Sequence, residues 1–184
     1  INGDIHTANQ KLAGLESRNQ AKTFIYTLLY GGSARRLGEV VGGSQKDGSR
    51  LRERFFSNLP SFTTLRHAVE RAAERGFIKG LDGRKVLIRA KHAAFNSLLQ
   101  SAGSIVMKKA LVILDSKFKE LYPNEDISIV ANVHDEWQIE SPEHVADAVG
   151  QLGVQSIKDA GIYFKLNCPM DGEYHVGTNW SETH

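Results

Sequence analysis

An α+β fold is predicted by three features of the chain. The stretches from Arg18 to Tyr30 and from about Ala93 to Leu121 contain no proline and place apolar residues at helical spacing. Ile127, Ile129, Ala131 and Val133 alternate with Ser128, Val130 and Asn132, which is the period of a strand. Asp82-Gly83, between two short runs of strand-forming residues, marks a hairpin turn. The expected architecture is a helical first half, then helices packed on a few antiparallel strands. Of the 184 residues 41% are hydrophobic and 24% charged, enough to bury a core and too ordinary for a disordered chain.

The elements follow in order. Ser17 can cap the first strong helix, Arg18 to Tyr30, and Gly31-Gly32 stops it. A second helix is expected from Gly32 or Ser33 to Val41, before Gly42-Gly43. Ser44 to Ser49 reads as a loop or a frayed helix start. Leu51 to Asn58 is helical, Leu59-Pro60 breaks it, and Ser61 caps a helix to about Arg75 that Gly76 ends. Phe77 to Ile88 forms the small hairpin. The long helix to Leu121 carries Leu98, Leu99, Ala102, Ile105, Val106, Val112, Ile113 and Phe118, and Pro123 marks its end. The strand from Ile127 returns through Trp137 to Ile139, with His134-Asp135-Glu136 at the tight connection. Ser141-Pro142-Glu143 starts a helix to about Ala160, which Gly161 ends. Tyr163 to Cys168 is a final strand candidate before a loop-rich tail.

The bulk numbers narrow the setting. A net charge of +2 is too small to argue for nucleic acid by itself; only clustering of the basic residues can. The single cysteine, Cys168, allows no internal disulfide and fits a reducing, cytoplasmic compartment. No apolar run approaches the roughly 20 residues of a membrane span, so no membrane association is expected. The opening Ile1-Asn2-Gly3-Asp4 reads like the interior of a longer polypeptide, and residues upstream are expected to be lost or encoded separately.

Two places carry chemistry. Arg18, Lys22, Tyr26 and Tyr30 recur every fourth residue, and because each such step drifts only about 40° they form one slanting stripe on their helix. Phe24, Ile25 and Leu28 fall on the other side and can face a core. Arg and Lys hold phosphates by charge-assisted hydrogen bonds, and tyrosine rings stack on bases or sugars. A solvated face with two packed tyrosines would show the same spacing. At the second place, His134-Asp135-Glu136, adjacent acids after an apolar strand favour a positive partner, and hard oxygen ligands suit Mg²⁺ or Mn²⁺. A plain polar turn would look the same.

Taken together and in order, these segments resemble the family A DNA polymerases. Arg18-Asn19-Gln20-Ala21-Lys22-Thr23-Phe24-Ile25-Tyr26-Thr27-Leu28-Leu29-Tyr30-Gly31 is similar to the fingers helix of that family, its motif B, with the arginine, lysine, aromatic and closing Tyr-Gly at the same spacing. The resemblance implies that Arg18 and Lys22 hold an incoming triphosphate and that Lys22 belongs to the catalytic set. It implies that Tyr26 lies against the nucleotide's sugar and base, where its hydroxyl eases acceptance of sugars lacking a 3′-hydroxyl. Tyr30 then lies at the templating base. Gly3-Asp4-Ile5-His6-Thr7 is also similar to a family segment, which implies a triphosphate contact for His6. Val133-His134-Asp135-Glu136 resembles motif C: Asp135 is implied as the catalytic metal ligand, Glu136 as its supporting acid and further metal ligand, and His134 as a contact to the primer end.

The Gly-Arg turn at Gly83-Arg84 and the pair Asn96 and Gln100 resemble family positions that touch the primer–template duplex. Asn96 and Gln100 share a helix face. Amides in a minor groove bind without reading sequence, because its acceptors are common to all base pairs. The tail Gly177-Thr178-Asn179-Trp180 with terminal His184 is similar to the end of the replicative polymerases of T-seven-like bacteriophages.

The implied organisation is a helical fingers subdomain over 1–76, with the nucleotide-binding helix at 18–31, and a partial palm over 77–184, with its catalytic hairpin at 127–140. The family's other catalytic aspartate lies upstream of the segment that begins here. Two-metal nucleotidyl transfer needs carboxylates on two strands. The expectation is therefore the C-terminal part of a DNA-directed DNA polymerase, using Mg²⁺, primer–template DNA and deoxynucleoside triphosphates, and inactive alone. The missing upstream part or self-association is expected to cover the exposed sheet edge. The alternatives are a non-catalytic nucleotide- or DNA-binding remnant and a small metal-dependent hydrolase using His134, Asp135 and Glu136 with Asp171, Glu173 and His175.

Overall fold

The structure, a computed structural model, describes residues 4–183. Gly3 of the Gly-Asp-Ile-His segment and the terminal His184 lie outside the described residues. The chain packs as two units, Ile1–Leu99 and Gln100–His184.

In the first unit, helices α1 (Ile5–Ala13), α2 (Arg18–Leu29), α3 (Ala34–Glu39), α4 (Gln45–Ser57) and α5 (Pro60–Ala72) precede the strand pair β1 (Phe77–Lys79) and β2 (Lys85–Leu87). Helix α1 was not expected from the sequence, although its signals are there: Asp4 caps it by accepting from the Thr7 backbone N–H, and Gly14 closes it at φ 68°. The cap expected of Ser17 forms, and Gln20 reaches back to complete a capping box. Ser44 forms a second one with Asp47, so α4 begins at Gln45, and of the loop and the helix start expected over Ser44 to Ser49 it is the helix start that forms. Ser61 does not cap α5. Pro60 occupies the first helical position after Leu59, where its missing N–H costs nothing.

One core joins Phe24, Leu37 and Phe55, all nearly inaccessible, with Ala21 and Ile25 of α2. A second joins Val69, Ile78, Ala94 and Phe95. The β1–β2 hairpin thus packs with α5, within the unit that ends at Leu99. Helices α3 and α4 meet backbone to backbone. A Cβ on Gly38 would strike the Ser44 carbonyl, and one on Gly48 would strike that of Ala34.

Helix α6 (Ala94–Leu121) begins in the first unit and ends in the second, which adds β3 (Ser128–Val133), β4 (Glu136–Glu140), α7 (Ala146–Tyr163) and the short α8 (Trp180–Thr183). The sheet content is two separate antiparallel pairs, β1–β2 and β3–β4. Leu114 and Phe118 of α6, with Val145 and Val149, form the second unit's core, and Ile127, Ile129, Trp137 and Ile139 of the hairpin pack against it.

Three expectations fail here, each for a physical reason. The alternation of β3 does not carry through, because the register slips between Ile129, opposite Ile139, and Ala131, opposite Gln138. This bulge moves Val133 onto the face of Glu136, where it is exposed. Gly161 lies inside α7, buried against Met170. Tyr163 to Cys168 forms no strand, because the N–H groups of Phe164, Lys165 and Leu166 close the end of α7 instead, with Lys165 at φ 53°.

By length and composition α6 is also apolar enough for a membrane span, contrary to the expectation. Its exposed positions Ser104, Lys108, Val112, Ser116 and Lys119 form a mostly polar stripe at helical spacing, while Val106, Ala110 and Leu114 are buried. That is the pattern of an amphipathic core helix with one face in water.

Candidate nucleotide site and acidic hairpin

On α2, burial divides the residues as the stripe requires. Ala21, Phe24 and Ile25 are buried, while Arg18, Lys22, Tyr26 and Tyr30 are exposed. The Tyr26 and Tyr30 rings lie 6.4 Å apart at 27°, a stacked pair one turn apart. His6, on the first turn of α1, adds its ring 6.1 Å from that of Tyr26. The structure therefore brings His6 to the stripe. Its Nδ1 is buried and finds no hydrogen-bond partner among the described residues. Most buried polar atoms in folded proteins have a partner, so this one is uncommon.

The two cations differ. Lys22 makes no salt bridge among the described residues. Arg18 presents a two-pronged pair to Asp4, Nε to Oδ2 at 2.8 Å and Nη2 to Oδ1 at 2.9 Å. Asp4 Oδ2 also accepts from Thr7 N at 2.9 Å and Thr7 Oγ1 at 2.7 Å. The Arg18 and then the Thr7 hydrogen bonds hold the Asp4 carboxyl far below the ordinary carboxylate range, and the Asp4 carboxylate raises Arg18 in turn.

In the second unit, β3 and β4 are joined by His134-Asp135 alone, since Val133 faces Glu136. His134 takes φ 54°, in a two-residue connection where glycine is usual. Asp135 is exposed at the tip and Glu136 is half-buried beside it. Glu136 Oε1 accepts from Gln138 Nε2 and, at 3.2 Å, from the indole Nε1 of Trp180. Thr183 Oγ1 donates to Gln138 Oε1 at 3.0 Å. The terminal helix thus buttresses the hairpin face that carries Glu136, and the opposite face packs on the core.

Trp180 as the partner of Glu136 was missed from the sequence, as was Asp4 as the partner of Arg18; no periodicity links residues so far apart. The oxygens of Asp135 and Glu136 suit a hard divalent cation. Among the described residues no group of three or more Asp, Glu, His or Cys side chains converges on a metal position. The proposed hydrolase cluster is therefore not assembled, and Asp171 instead pairs with Lys158 at 3.1 Å.

The expected duplex contacts lie elsewhere. Arg84 sits in the β1–β2 turn, its guanidinium 2.6 Å from Asp82 and mostly exposed. Asn96 and Gln100 lie one turn apart on α6, half-buried and exposed respectively. Charge is divided sharply between the units: the first holds 17 Lys and Arg against 8 Asp and Glu, the second 6 against 13. The small net charge conceals a basic unit and an acidic one.

These features sit on a polymerase fold. The chain matches the POL domain of Pol1 from M. smegmatis, solved in complex with DNA primer-template and dNTP, with a TM-score of 0.76 over 92% of this chain and 32% of that one, at 22% identity. Residues 2–182 match the model of DNA polymerase family A, and the chain belongs to that family. It is 35% identical to a DNA-directed DNA polymerase of Enterobacteria phage T3 and 36% identical to one of Escherichia phage Phieco32, in each case over 100% of this chain. It is 28% identical, over 89% of its length, to the thermostable DNA polymerase I of Thermus aquaticus. The chain spans 29% and 31% of the two phage relatives.

Proposed function

We propose that the chain supplies the nucleotide-binding helix and one acidic turn of a template-directed DNA polymerase. The observation that carries this reading is the exposed row of Arg18, Lys22, Tyr26 and Tyr30 with His6 at its side, in a member of this family. Arg18, Lys22 and the unsatisfied His6 ring would take the phosphates of a deoxynucleoside triphosphate, and Tyr26 its sugar and base. Tyr30 would meet the templating base. Arg84, Asn96 and Gln100 would touch the primer–template duplex, and His134 the primer end.

Asp135 and Glu136 would hold a divalent cation such as Mg²⁺, which when bound supplies charge stabilisation to phosphoryl oxygens. Trp180 and Gln138 fix the Glu136 carboxylate by hydrogen bonds. Lys22 would neutralise charge on the leaving pyrophosphate as the primer 3′-hydroxyl attacks the α-phosphate. In functional terms the first 76 residues act as fingers, and the hairpin at 127–140 belongs to the palm. A second carboxylate strand, supplied by another polypeptide segment or partner, would complete the catalytic pair.

Two measurements test the reading. Lys22→Ala should weaken triphosphate binding roughly tenfold or more, since it removes a charge-assisted contact; equal affinity would take the stripe out of consideration. Primer extension should be slight for the chain alone. It should rise when the preceding segment of a phage relative is added in trans, and be lost again in Asp135→Asn. The same exposed row on α2 also fits one second reading, a nucleotide- and DNA-binding module without catalysis. Binding that depends on Lys22, with no extension in the complemented mixture, would select it.

A further inference from the structure

The Asp4–Arg18 pair has a geometry that bears on ligand affinity. The edge of Arg18 formed by Nε and Nη2 is the edge with which an arginine grips a phosphate in two-pronged fashion, and both atoms are engaged by Asp4. We infer that Asp4 is an intramolecular competitor for the anion that Arg18 would bind, so that it tunes affinity selectively for phosphate-bearing ligands. This rests on the triphosphate-binding reading of α2.

Three observations support a latch over a fixed strut. Both side chains lie at the surface, 53% and 36% exposed for Arg18 and Asp4, so opening the pair disturbs no core. Thr7 binds Asp4 Oδ2 through both its N–H and its hydroxyl, so the carboxylate stays anchored at the start of α1 when Arg18 swings away. The carboxylate also remains charged throughout the neutral range, held so by Arg18 and Thr7. A ligand that needs Arg18 then binds only the open fraction, and its apparent Kd rises by the inverse of that fraction. Exposed ion pairs are modest, so the open fraction should be about a fifth to a half.

The test is calorimetric titration of the 184-residue chain with dTTP and with deoxythymidine, for the wild type, Asp4→Asn and Asp4→Ser. Both replacements remain good helix caps, so α1 should persist by circular dichroism. Asp4→Asn should tighten dTTP about two- to fivefold and leave deoxythymidine unchanged. In an Arg18→Ala background the gain should vanish. A gain that persists there is a general loss of negative charge and overturns the latch. Unchanged or weaker dTTP binding in both Asp4 variants, with Arg18→Ala still weakening it, overturns the inference while sparing the reading of α2. Binding indifferent to both Arg18→Ala and Lys22→Ala overturns the two together.

Discussion

At the scale of single residues, the side chains on α2 were legible because a helix converts spacing into direction. Four exposed residues at intervals of four and buried Phe24 between them leave little freedom of arrangement. His134 was legible only as a position. Its left-handed backbone arises from the closure of a two-residue hairpin and leaves no trace in composition. Strain of this kind costs about 1–2 kcal/mol for a residue with a Cβ, against about 0.5–1 kcal/mol of extra chain entropy for glycine. His134→Gly should therefore unfold in urea at the same or slightly higher midpoint, gaining at most about 1.5 kcal/mol, while primer–template binding weakens. A clear loss of stability would mean that the imidazole supports the hairpin and is not reserved for a ligand.

At the scale of elements, what failed from the sequence failed where tertiary pairing decides. The alternation of Ile127 to Val133 is genuine, yet the bulge near Val130 turns the last two residues over. Gly161 reads as a stop but continues α7, because Met170 fills the space above it. Helices α6 and α7 are tied by Lys117 to Asp159 at 2.7 Å, each side chain about a quarter to a third exposed. Lys117 first, and Gln155 second, hold Asp159 below its ordinary range. A carboxylate lowered in the folded state contributes stability above its unfolded pKa and loses it as pH falls through the folded one. Thermal unfolding from pH 7 toward acid should thus show a wild-type advantage over Asp159→Asn of about 0.5–1 kcal/mol that closes in the acidic range. A gap that stays constant with pH would assign the effect to packing.

At the scale of the whole chain, family membership was visible in the order of several short motifs, none of them persuasive by itself. The distribution of charge was not read, because a sum of +2 conceals it. Seventeen basic residues in the first unit give it an electrostatic footprint for a polyanion, while the acidic second unit holds the candidate metal ligands. Binding to primer–template DNA should weaken steeply with salt, log K falling linearly with log salt concentration as counterions are released. Paired Arg→Gln changes on α4, at Arg50 and Arg52, should flatten that slope, whereas Lys→Gln changes at Lys158 and Lys165 in the second unit should leave it alone. Equal effects from both pairs would deny the basic unit any special part.

The buttress on the hairpin also has an optical consequence. The chain holds two tryptophans, Trp137 on the core side of β4 and Trp180 bonded to Glu136 on the other, so its intrinsic indole emission originates on the two faces of one hairpin. The first unit contains no tryptophan, and its only tyrosines are Tyr26 and Tyr30. The unmodified protein therefore carries two separable fluorophore sets, indoles on the two faces of the β3–β4 hairpin and a tyrosine pair on the first unit.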